Sequence, residues 1–340
     1  MSPAQPASHI RVLYTGGTIG MQATASGLAP AGGFEARMQA RLEASRLQTA
    51  AWSFQEMQPL IDSANMSPVY WQQLREAIRQ AVDNDGCDAV LVLHGTDTLA
   101  YSAAALSFQL IGLPAPVVFT GSMLPAGVAD SDAWENLEGA LNLLTQGMEP
   151  GVWLHFHGQS MLPTRCAKVR SSGRDAFAPL HRDHSAAAPG EVPAQLHYQQ
   201  PKALARVAAL PLVPGFDPAW ISALVATGVQ GLVLECYGSG TGPGDDAAFL
   251  GALREARDKG VVMVAVTQCQ QGGVVFDVYE AGSRLRNAGV VAGGGMTREA
   301  AFGKLHGLLG AGLEADDVAR LLEVDLCGEL TGLRRSSKVH

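Results

Sequence analysis

The sequence predicts an α/β protein with two domains and mostly parallel sheets. Short runs rich in Val, Leu and Ile alternate with stretches of helical periodicity along the 340 residues. An apolar run without polar alternation is typical of a strand covered on both faces. Repeated strand–helix alternation indicates a doubly wound sheet. The expected fold is therefore a larger N-terminal doubly wound, mostly parallel sheet domain plus a smaller C-terminal α/β domain.

Six segments carry the strand pattern: residues 10–14, 89–93, 117–120, 152–156, 231–234 and 261–266. The helical pattern is clearest in residues 67–84, where Ser67 precedes Pro68 as the expected N-cap. Further helices are predicted at residues 99–111, 132–146, 245–259, 297–309 and 314–322. Most of the predicted strands are thus followed by a predicted helix, as a doubly wound sheet requires.

Residues 184–202 interrupt this alternation because they contain three prolines and a glycine. We expect residues 1–190 to form the N-terminal catalytic α/β domain, 191–212 a linker, and 213–340 the smaller C-terminal α/β domain. Residues 21–34 are small and Gly-rich without a strong period, which favours a long functional loop or lid.

Composition excludes several classes of function. The net charge is −8 and no basic run exceeds a pair, so the sequence lacks the basic patch that nucleic-acid binding requires. The chain has no apolar run of about 18 residues that could span a membrane. The N-terminus lacks a secretory signal pattern, which favours a cytoplasmic location. Five cysteines without a Cys-x-x-Cys pair predict neither a disulfide framework nor a zinc site, and no metal is expected.

The first candidate motif is Thr15-Gly16-Gly17-Thr18, which directly follows the predicted strand 10–14. Ligands of open α/β sheets bind beyond the carboxyl ends of strands. Paired glycines let backbone approach a ligand closely, and the Thr18 hydroxyl could attack a carbonyl. A tight turn without function explains the glycines equally well. A phosphate loop is disfavoured because Gly-x-x-x-x-Gly-Lys is absent.

The second candidate motif is His94-Gly95-Thr96-Asp97-Thr98, which lies between predicted strand 89–93 and predicted helix 99–111. Free N–H groups and the helix dipole favour an anion at such a position, while Asp97 could pair with an ammonium group. A site offering both suits a free amino acid. The alternative is that Thr96 or Asp97 only caps the helix.

Lys168 is a third candidate. A lysine acts as a general base only when it is neutral, and lowering its pKa from about 10.4 to near 7 requires on the order of 4–5 kcal/mol from its surroundings. Spacing alone does not distinguish Lys168 from a solvated surface lysine.

Residues 14–20 and 86–103 resemble the two signature motifs of bacterial L-asparaginases, in the same order and spacing. The resemblance covers nearly the whole chain and is closest to the cytoplasmic type I subgroup. It continues through residues 62–63, 119–122, 175–177, 266–269 and 328–331.

The resemblance implies an amidohydrolase that converts L-asparagine to L-aspartate and ammonia, without a cofactor, as a homodimer or homotetramer. The nucleophile of the family falls on Thr18. The second threonine falls on Thr96, which pairs with Asp97 and with the lysine at Lys168.

The resemblance also assigns the binding of the substrate. The serine that holds the substrate carboxylate falls on Ser63, with Asp62 and Gly95 beside it, and Gly17 belongs to the first motif. The sequence departs from the family at Leu28, where the lid usually carries a tyrosine that helps to activate the nucleophile. Leucine cannot relay a proton. Tyr14, although near in sequence, is expected to be a core residue.

Three other functions remain open at this point. The chain could be the amidase subunit of a tRNA-dependent amidotransferase, although those usually carry an extra N-terminal domain. It could be a binding protein without catalysis, as Leu28 suggests. It could be a nicotinamide oxidoreductase, because residues 238–242 imitate a dinucleotide loop, but Pro243 stands where the third glycine belongs. The pairs His155/His157 and His181/His184 lack a third metal ligand.

Overall fold

The computed structural model describes residues 5–24, 27–180 and 192–330. The chain divides into two compact units, one of Met1–Pro179 with His197–Gln199 and one of Leu180–Leu196 with Gln200–His340. Each unit contains strands and helices, so the predicted fold class is confirmed. Within the described ranges, the helices are too short or too polar to cross a membrane. The predicted pair His181/His184 lies outside the described residues.

The first unit is built on a six-stranded sheet with the order β4-β1-β5-β6-β7-β8. Its pairs are parallel, except that β8 runs antiparallel to β7. The strands β2–β3 and β9–β10 form two separate hairpins. The strands are β1 (His9–Gly16), β2 (Gln22–Thr24), β3 (Gly27–Ala29), β4 (Ala51–Ile61), β5 (Ala89–Leu93), β6 (Pro116–Thr120), β7 (Gly151–Phe156), β8 (Gln159–Met161), β9 (Cys166–Lys168) and β10 (Phe177–Pro179). The helices are α1 (Phe34–Ser45), α2 (Pro68–Asp83), α3 (Leu99–Gln109) and α4 (Ala133–Gln146).

Helices cover both faces of this sheet. Leu13 and Val92 pack into a cluster with side chains of α2 and α3, whereas Val12 and Leu91 pack with side chains of α1 and α4. Successive side chains of a strand point to opposite faces, so a central strand covered on both faces is apolar at most of its positions. This explains why the central strands read as continuous apolar runs in the sequence.

The second unit has a four-stranded parallel sheet with the order β11-β12-β13-β14. Its strands are β11 (Val207–Pro211), β12 (Gly231–Cys236), β13 (Val262–Thr267) and β14 (Val290–Ala292). Its helices are α5 (Ala219–Ala226), α6 (Ala247–Asp258), α7 (Glu280–Asn287), α8 (Arg298–Gly310) and α9 (Ala315–Leu322). The predicted strands at 231–234 and 261–266 overlap β12 and β13.

The structure differs from the sequence prediction at three places. Strand β4 was not predicted, because its apolar residues alternate with polar ones at the edge of the sheet. Strand β11 lies inside the stretch 191–212 that was predicted as a linker, and it pairs with β12. Ser67 does occupy the N-cap of α2, but its side chain makes no capping hydrogen bond. Residues 181–191 lie outside the described part, and the domain boundaries remain a prediction.

A buried ion pair ties residues 322–329 of the second unit to α8. Lys304 Nζ lies 2.7 Å from Glu329 Oε1, and neither side chain has solvent exposure. Lys304 also donates to the carbonyls of Leu322 (3.1 Å) and Val324 (2.6 Å). The Glu329 carboxylate accepts the N–H of Cys327 at 2.7 Å. Burial raises the pKa of Glu329 above its ordinary value, and Lys304 opposes that rise.

Candidate active site

The first motif is pressed against two neighbouring segments. Gly16 and Gly17 have φ angles of 108° and 79°, which glycine adopts without strain. Gly17 N–H donates to Ile61 O at 3.1 Å. A Cβ at Gly16 would collide with the backbone of Ile61, and one at Gly17 would collide with the backbone of Gly95. These two positions therefore require glycine, and they hold the Thr18 segment against the second motif.

The second motif meets Ser63 at the same place. A Cβ added to Gly95 would lie 2.6 Å from Ser63 Oγ and 3.2 Å from Gly17 Cα. Ser63 is buried, and its carbonyl accepts the Thr98 hydroxyl at 2.8 Å. Asp62 caps the short turn that follows, with its carboxylate accepting Ala64 N–H at 3.1 Å. Gly17, Ser63 and Gly95, which were predicted separately, thus come together.

Lys168 connects the two predicted polar residues of the second motif. Its Nζ donates to Thr96 Oγ1 at 2.9 Å and to Asp97 Oδ1 at 2.7 Å. The Asp97 side chain is 62% exposed, Lys168 is 18% exposed, and Thr96 is buried. A cavity of about 290 Å³ opens beside Asp97 and Lys168. The structure therefore places Lys168 in a chain of hydrogen bonds, which its spacing in the sequence could not show.

Helix capping does not account for Thr96 or Asp97. The N-cap of α3 is Thr98, and its side chain makes no capping bond. The backbone N–H groups of Thr96 and Asp97 donate to no acceptor within residues 5–24, 27–180 and 192–330. Free donors at a helix N-terminus attract a negatively charged group.

Thr18 begins a 3-10 turn, Thr18–Gly20, immediately after Gly17. It is partly exposed. The structure gives no hydrogen bond between Thr18 and Thr96, Asp97 or Lys168. What joins the two threonine segments is the contact between their preceding glycines, so the pairing of the two hydroxyls on one substrate remains a prediction.

His94 supports the second motif and was not predicted as a site residue. Its Nδ1 lies 2.7 Å from Gly95 O, so Nδ1 carries the proton that is donated to this carbonyl. Its Nε2 is buried without a hydrogen-bond partner in the described part of the chain. Burial lowers the pKa of His94 to about 4. A histidine directly after a continuous apolar strand was the signal that could have identified it.

A second set of buried polar groups holds the loop after β6. His94 N–H donates to Thr120 O at 2.9 Å. The Asp132 carboxylate accepts the N–H of Met123 at 2.9 Å, and Asn136 Nδ2 donates to Gly121 O at 3.0 Å. Gly121 itself packs against the His94 carbonyl. These contacts hold the loop after β6 against His94 of the second motif. The loop residues and the side chains that hold them are distant from that motif in sequence.

The neutral His94 makes stability depend on pH. An unfolded histidine takes up a proton near pH 6.5, whereas folded His94 stays neutral down to about pH 4. The unfolded state therefore binds more protons in this window, so stability falls as the pH drops from about 6.5 to about 4. We expect the wild type to lose about 2 kcal/mol at His94 between pH 7 and 5, measured by urea denaturation.

The variant His94→Asn provides the comparison, because asparagine can keep a donor near Gly95 without titrating. His306, whose pKa is also lowered to about 4 by burial, adds the same trend to both proteins. The difference between them therefore isolates His94. Equal losses in wild type and variant would contradict the expectation.

Other predicted features fall outside this arrangement. Tyr14 is fully buried, and its hydroxyl donates to Ala31 O at 3.1 Å, so it belongs to the core as expected. Burial and the nearby Glu56 raise the pKa of Tyr14 to about 12. Leu28 lies on the β2–β3 hairpin and is 54% exposed. Residues 238–242 form a tight turn closed by Tyr237 and Thr241, and α6 begins only at residue 247, which does not match a dinucleotide loop.

The described residues contain no cluster of three or more His, Cys, Asp or Glu side chains that could hold a metal ion. The second motif offers a hydroxyl group, a lysine, a carboxylate and free backbone N–H groups, and the segment of Thr18 packs against it through Gly17. Chemically, this set can bind an amino acid and cleave an acyl bond by nucleophilic attack.

Comparisons with known proteins agree with this chemistry. The family model "Asparaginase, N-terminal" matches residues 9–202, and "Glutaminase/Asparaginase C-terminal domain" matches residues 206–322. L-asparaginase 1 of Escherichia coli K12 is 36% identical over 336 residues, which cover 95% of this chain and 98% of that protein.

Two solved structures are similar over nearly their whole length. The thermostable L-asparaginase of Thermococcus kodakarensis has a TM-score of 0.81 at 34% identity and covers 96% of this chain and 100% of that one. L-asparaginase I of Vibrio cholerae has a TM-score of 0.80 at 32% identity and covers 95% and 99%. Fold and relatives together define an amidohydrolase. The chain belongs to the asparaginase family, and its relatives confirm the resemblance to the type I subgroup.

Proposed function

We propose that the protein hydrolyses L-asparagine to L-aspartate and ammonia with Thr18 as the nucleophile. The observation that carries this proposal is the contact among Gly17, Gly95 and Ser63. This contact brings the segments of two threonines and a serine to one edge of the sheet. The names of the relatives, which are L-asparaginases, support the choice of substrate.

The polar groups match the two charges of a free amino acid. The Asp97 carboxylate is mostly exposed and pairs with the α-ammonium group of the substrate. The Ser63 hydroxyl, with Asp62 and Gly95 beside it, holds the α-carboxylate. An amino acid bound by both charges presents its side-chain amide to the threonine segments.

Thr18 Oγ attacks the amide carbon, and a C–O bond forms as the carbonyl oxygen becomes an oxyanion. Free backbone N–H groups and the Thr96 hydroxyl stabilise that oxyanion, an interaction worth roughly 3–4 kcal/mol per donor. The C–N bond then breaks, and nitrogen leaves as ammonia with a proton taken over from the Thr18 hydroxyl. Water cleaves the acyl-enzyme to give aspartate and restores Thr18.

Lys168 assists through Thr96. It lies within hydrogen-bond distance of both Thr96 and Asp97, so it orients one hydroxyl while its own charge is balanced by the carboxylate. Lys168 therefore acts mainly by holding Thr96 and Asp97 in place.

We further propose a homodimer or homotetramer that works in the cytoplasm. The named relatives are L-asparaginases whose chains match this one nearly end to end. The five cysteines are free thiols, which fits a reducing compartment.

Ammonia release tests the substrate. Purified protein, without any added partner, is incubated with L-asparagine, D-asparagine and L-glutamine over a wide concentration range, and its mass is measured by light scattering. We expect saturable ammonia release from L-asparagine with an equal amount of aspartate. Calorimetric binding of asparagine without ammonia release would instead indicate a binding protein, and release only with a partner enzyme would indicate an amidotransferase subunit.

A further inference from the structure

A second cavity, of about 390 Å³, lies beside the turn that begins at Thr18. We call it the hairpin cavity. Its walls are the β2–β3 hairpin, the loop at residues 125–128 and one side chain of α1. The residues that matter below are Met21, Ala23, Leu28, Arg37, Pro125 and Val128. Gln22 and Gly127 complete the lining, so the polar side chains of the cavity are those of Gln22 and Arg37.

The hairpin cavity is attached to the Thr18 turn on two sides. Met21 N–H donates to Thr18 O at 3.1 Å, and Ala126 N–H donates to Ile19 O at 3.1 Å. Both walls are thus anchored by backbone bonds to the residues that carry the proposed nucleophile. Met21, which lines the hairpin cavity, follows Thr18 by one 3-10 turn, so the cavity lies beside the segment of the proposed nucleophile.

Arg37 brings a single positive charge to this apolar space. Its guanidinium lies 5.4 Å from the centre of the Phe34 ring and would lie 3.5 Å from a Cβ at Gly127. Within residues 5–24, 27–180 and 192–330, Arg37 forms no ion pair. A half-buried cation next to apolar walls is complementary to a ligand with an apolar body and a carboxylate.

Leu28 extends the apolar wall on the hairpin. The family resemblance places a tyrosine at this position, so a phenol is replaced here by a branched aliphatic side chain. Leu28 and Val128 are 54% and 47% exposed, and both line the cavity. Exposed apolar side chains that face a common space gain free energy when an apolar group fills that space.

We propose that the hairpin cavity accepts the leaving group of secondary amides, so that the enzyme also hydrolyses β-aspartyl dipeptides whose second residue is apolar. This proposal rests on the proposed function of Thr18. In β-aspartyl-leucine the leucine side chain fills the apolar cavity, and its free carboxylate pairs with Arg37. The α-ammonium and α-carboxylate groups of the aspartyl part bind Asp97 and Ser63, as proposed for asparagine.

The reaction balances as a hydrolysis. Thr18 Oγ bonds to the β-carbonyl carbon, the C–N bond to leucine breaks, and the leucine nitrogen takes the proton released from the Thr18 hydroxyl. Water then adds hydroxide to the aspartyl ester carbon and returns a proton to Thr18 Oγ. One water is consumed, and aspartate and leucine are released.

The test measures leucine release from β-aspartyl-leucine by the full-length enzyme, beside ammonia release from L-asparagine. We expect Arg37→Gln to lower the ratio of kcat/KM for β-aspartyl-leucine over asparagine by about tenfold, mainly through KM. Arg41→Gln is the matched control, because Arg41 lies on the same helix but pairs with Glu138 and does not line the cavity. Its ratio should stay within about twofold of wild type. β-Aspartyl-n-pentylamide, which lacks the carboxylate, should show no loss with Arg37→Gln.

Each contrary result is distinguishable. Hydrolysis of asparagine without any leucine release would overturn this proposal and leave the proposed function intact, whereas hydrolysis of neither would overturn both. If leucine were released and Arg37→Gln left the kcat/KM ratio unchanged, Arg37 would not bind the leucine carboxylate, and the assignment of the hairpin cavity to the leaving group would be overturned. A lower oligomeric mass of Leu28→Asp, together with an unchanged ratio, would assign the cavity to a second copy of the chain instead.

Discussion

Replacing Thr18 by alanine is expected to reduce asparagine turnover by at least about a thousandfold, because it removes the oxygen that we propose bonds to the substrate. The loss should fall on kcat, since the proposed binding groups Asp97 and Ser63 remain in place. Thr96→Ala should cause a loss of similar order, as it removes the hydroxyl that Lys168 holds at 2.9 Å. Initial rates of ammonia release over a range of asparagine concentrations measure both effects.

Thr15→Val is the matched control for the loss of a threonine hydroxyl. Thr15 lies in the same motif, but it is buried and donates to Leu93 O at 3.0 Å, away from solvent. Valine keeps its shape, so activity should remain within about threefold of wild type while stability falls by about 1 kcal/mol. Near-normal turnover in Thr18→Ala would remove the nucleophile from the proposed mechanism.

The second large effect is expected on stability. Glu329→Ala leaves the Lys304 ammonium buried without its carboxylate, and breaking a buried pair in this way costs roughly 3–5 kcal/mol. Four backbone groups, those of Leu322, Val324, Leu326 and Cys327, form hydrogen bonds with the same two side chains. Chemical denaturation at neutral pH, followed by circular dichroism, measures the loss.

Two further variants define what the pair contributes. The double variant Lys304→Met with Glu329→Leu removes both charges at once, so it should be clearly more stable than Glu329→Ala alone. Lys259→Ala breaks an exposed pair with Glu255, whose side chains are about half exposed, and should change stability by no more than about 1 kcal/mol. If Glu329→Ala behaved like Lys259→Ala, the buried pair would not stabilise the unit.

The central strands could be predicted from the sequence because burial on both faces requires apolar residues at most positions. Strand β5 shows this throughout and β13 shows it up to its last residue, whereas β1 carries Arg11 among its apolar residues. Strand β4 could not be predicted, because it lies at the sheet edge and carries Gln55 and Glu56 among its apolar residues. An alternating segment of this kind gains its structure only by pairing with β1.

The candidate site was predictable where a residue lies in a local motif, and less so elsewhere. Thr18, Thr96 and Asp97 follow strands, so their position at the edge of the sheet follows from the pattern. Lys168 is 72 residues from Thr96, and only the family resemblance pointed to it. The support by His94 was missed because its hydrogen bond and burial exist only in the folded chain.

The contact of Gly17 with Gly95 also bears on how selectivity can evolve. At Gly17 and Gly95 the candidate site has no side chains, and its backbone groups are the same for any amino acid that binds. Under the proposed function, we therefore expect discrimination between a four-carbon and a five-carbon amide to depend on side chains, among them those of the β2–β3 hairpin. Efforts to change the preferred chain length should vary the hairpin and leave both glycines untouched.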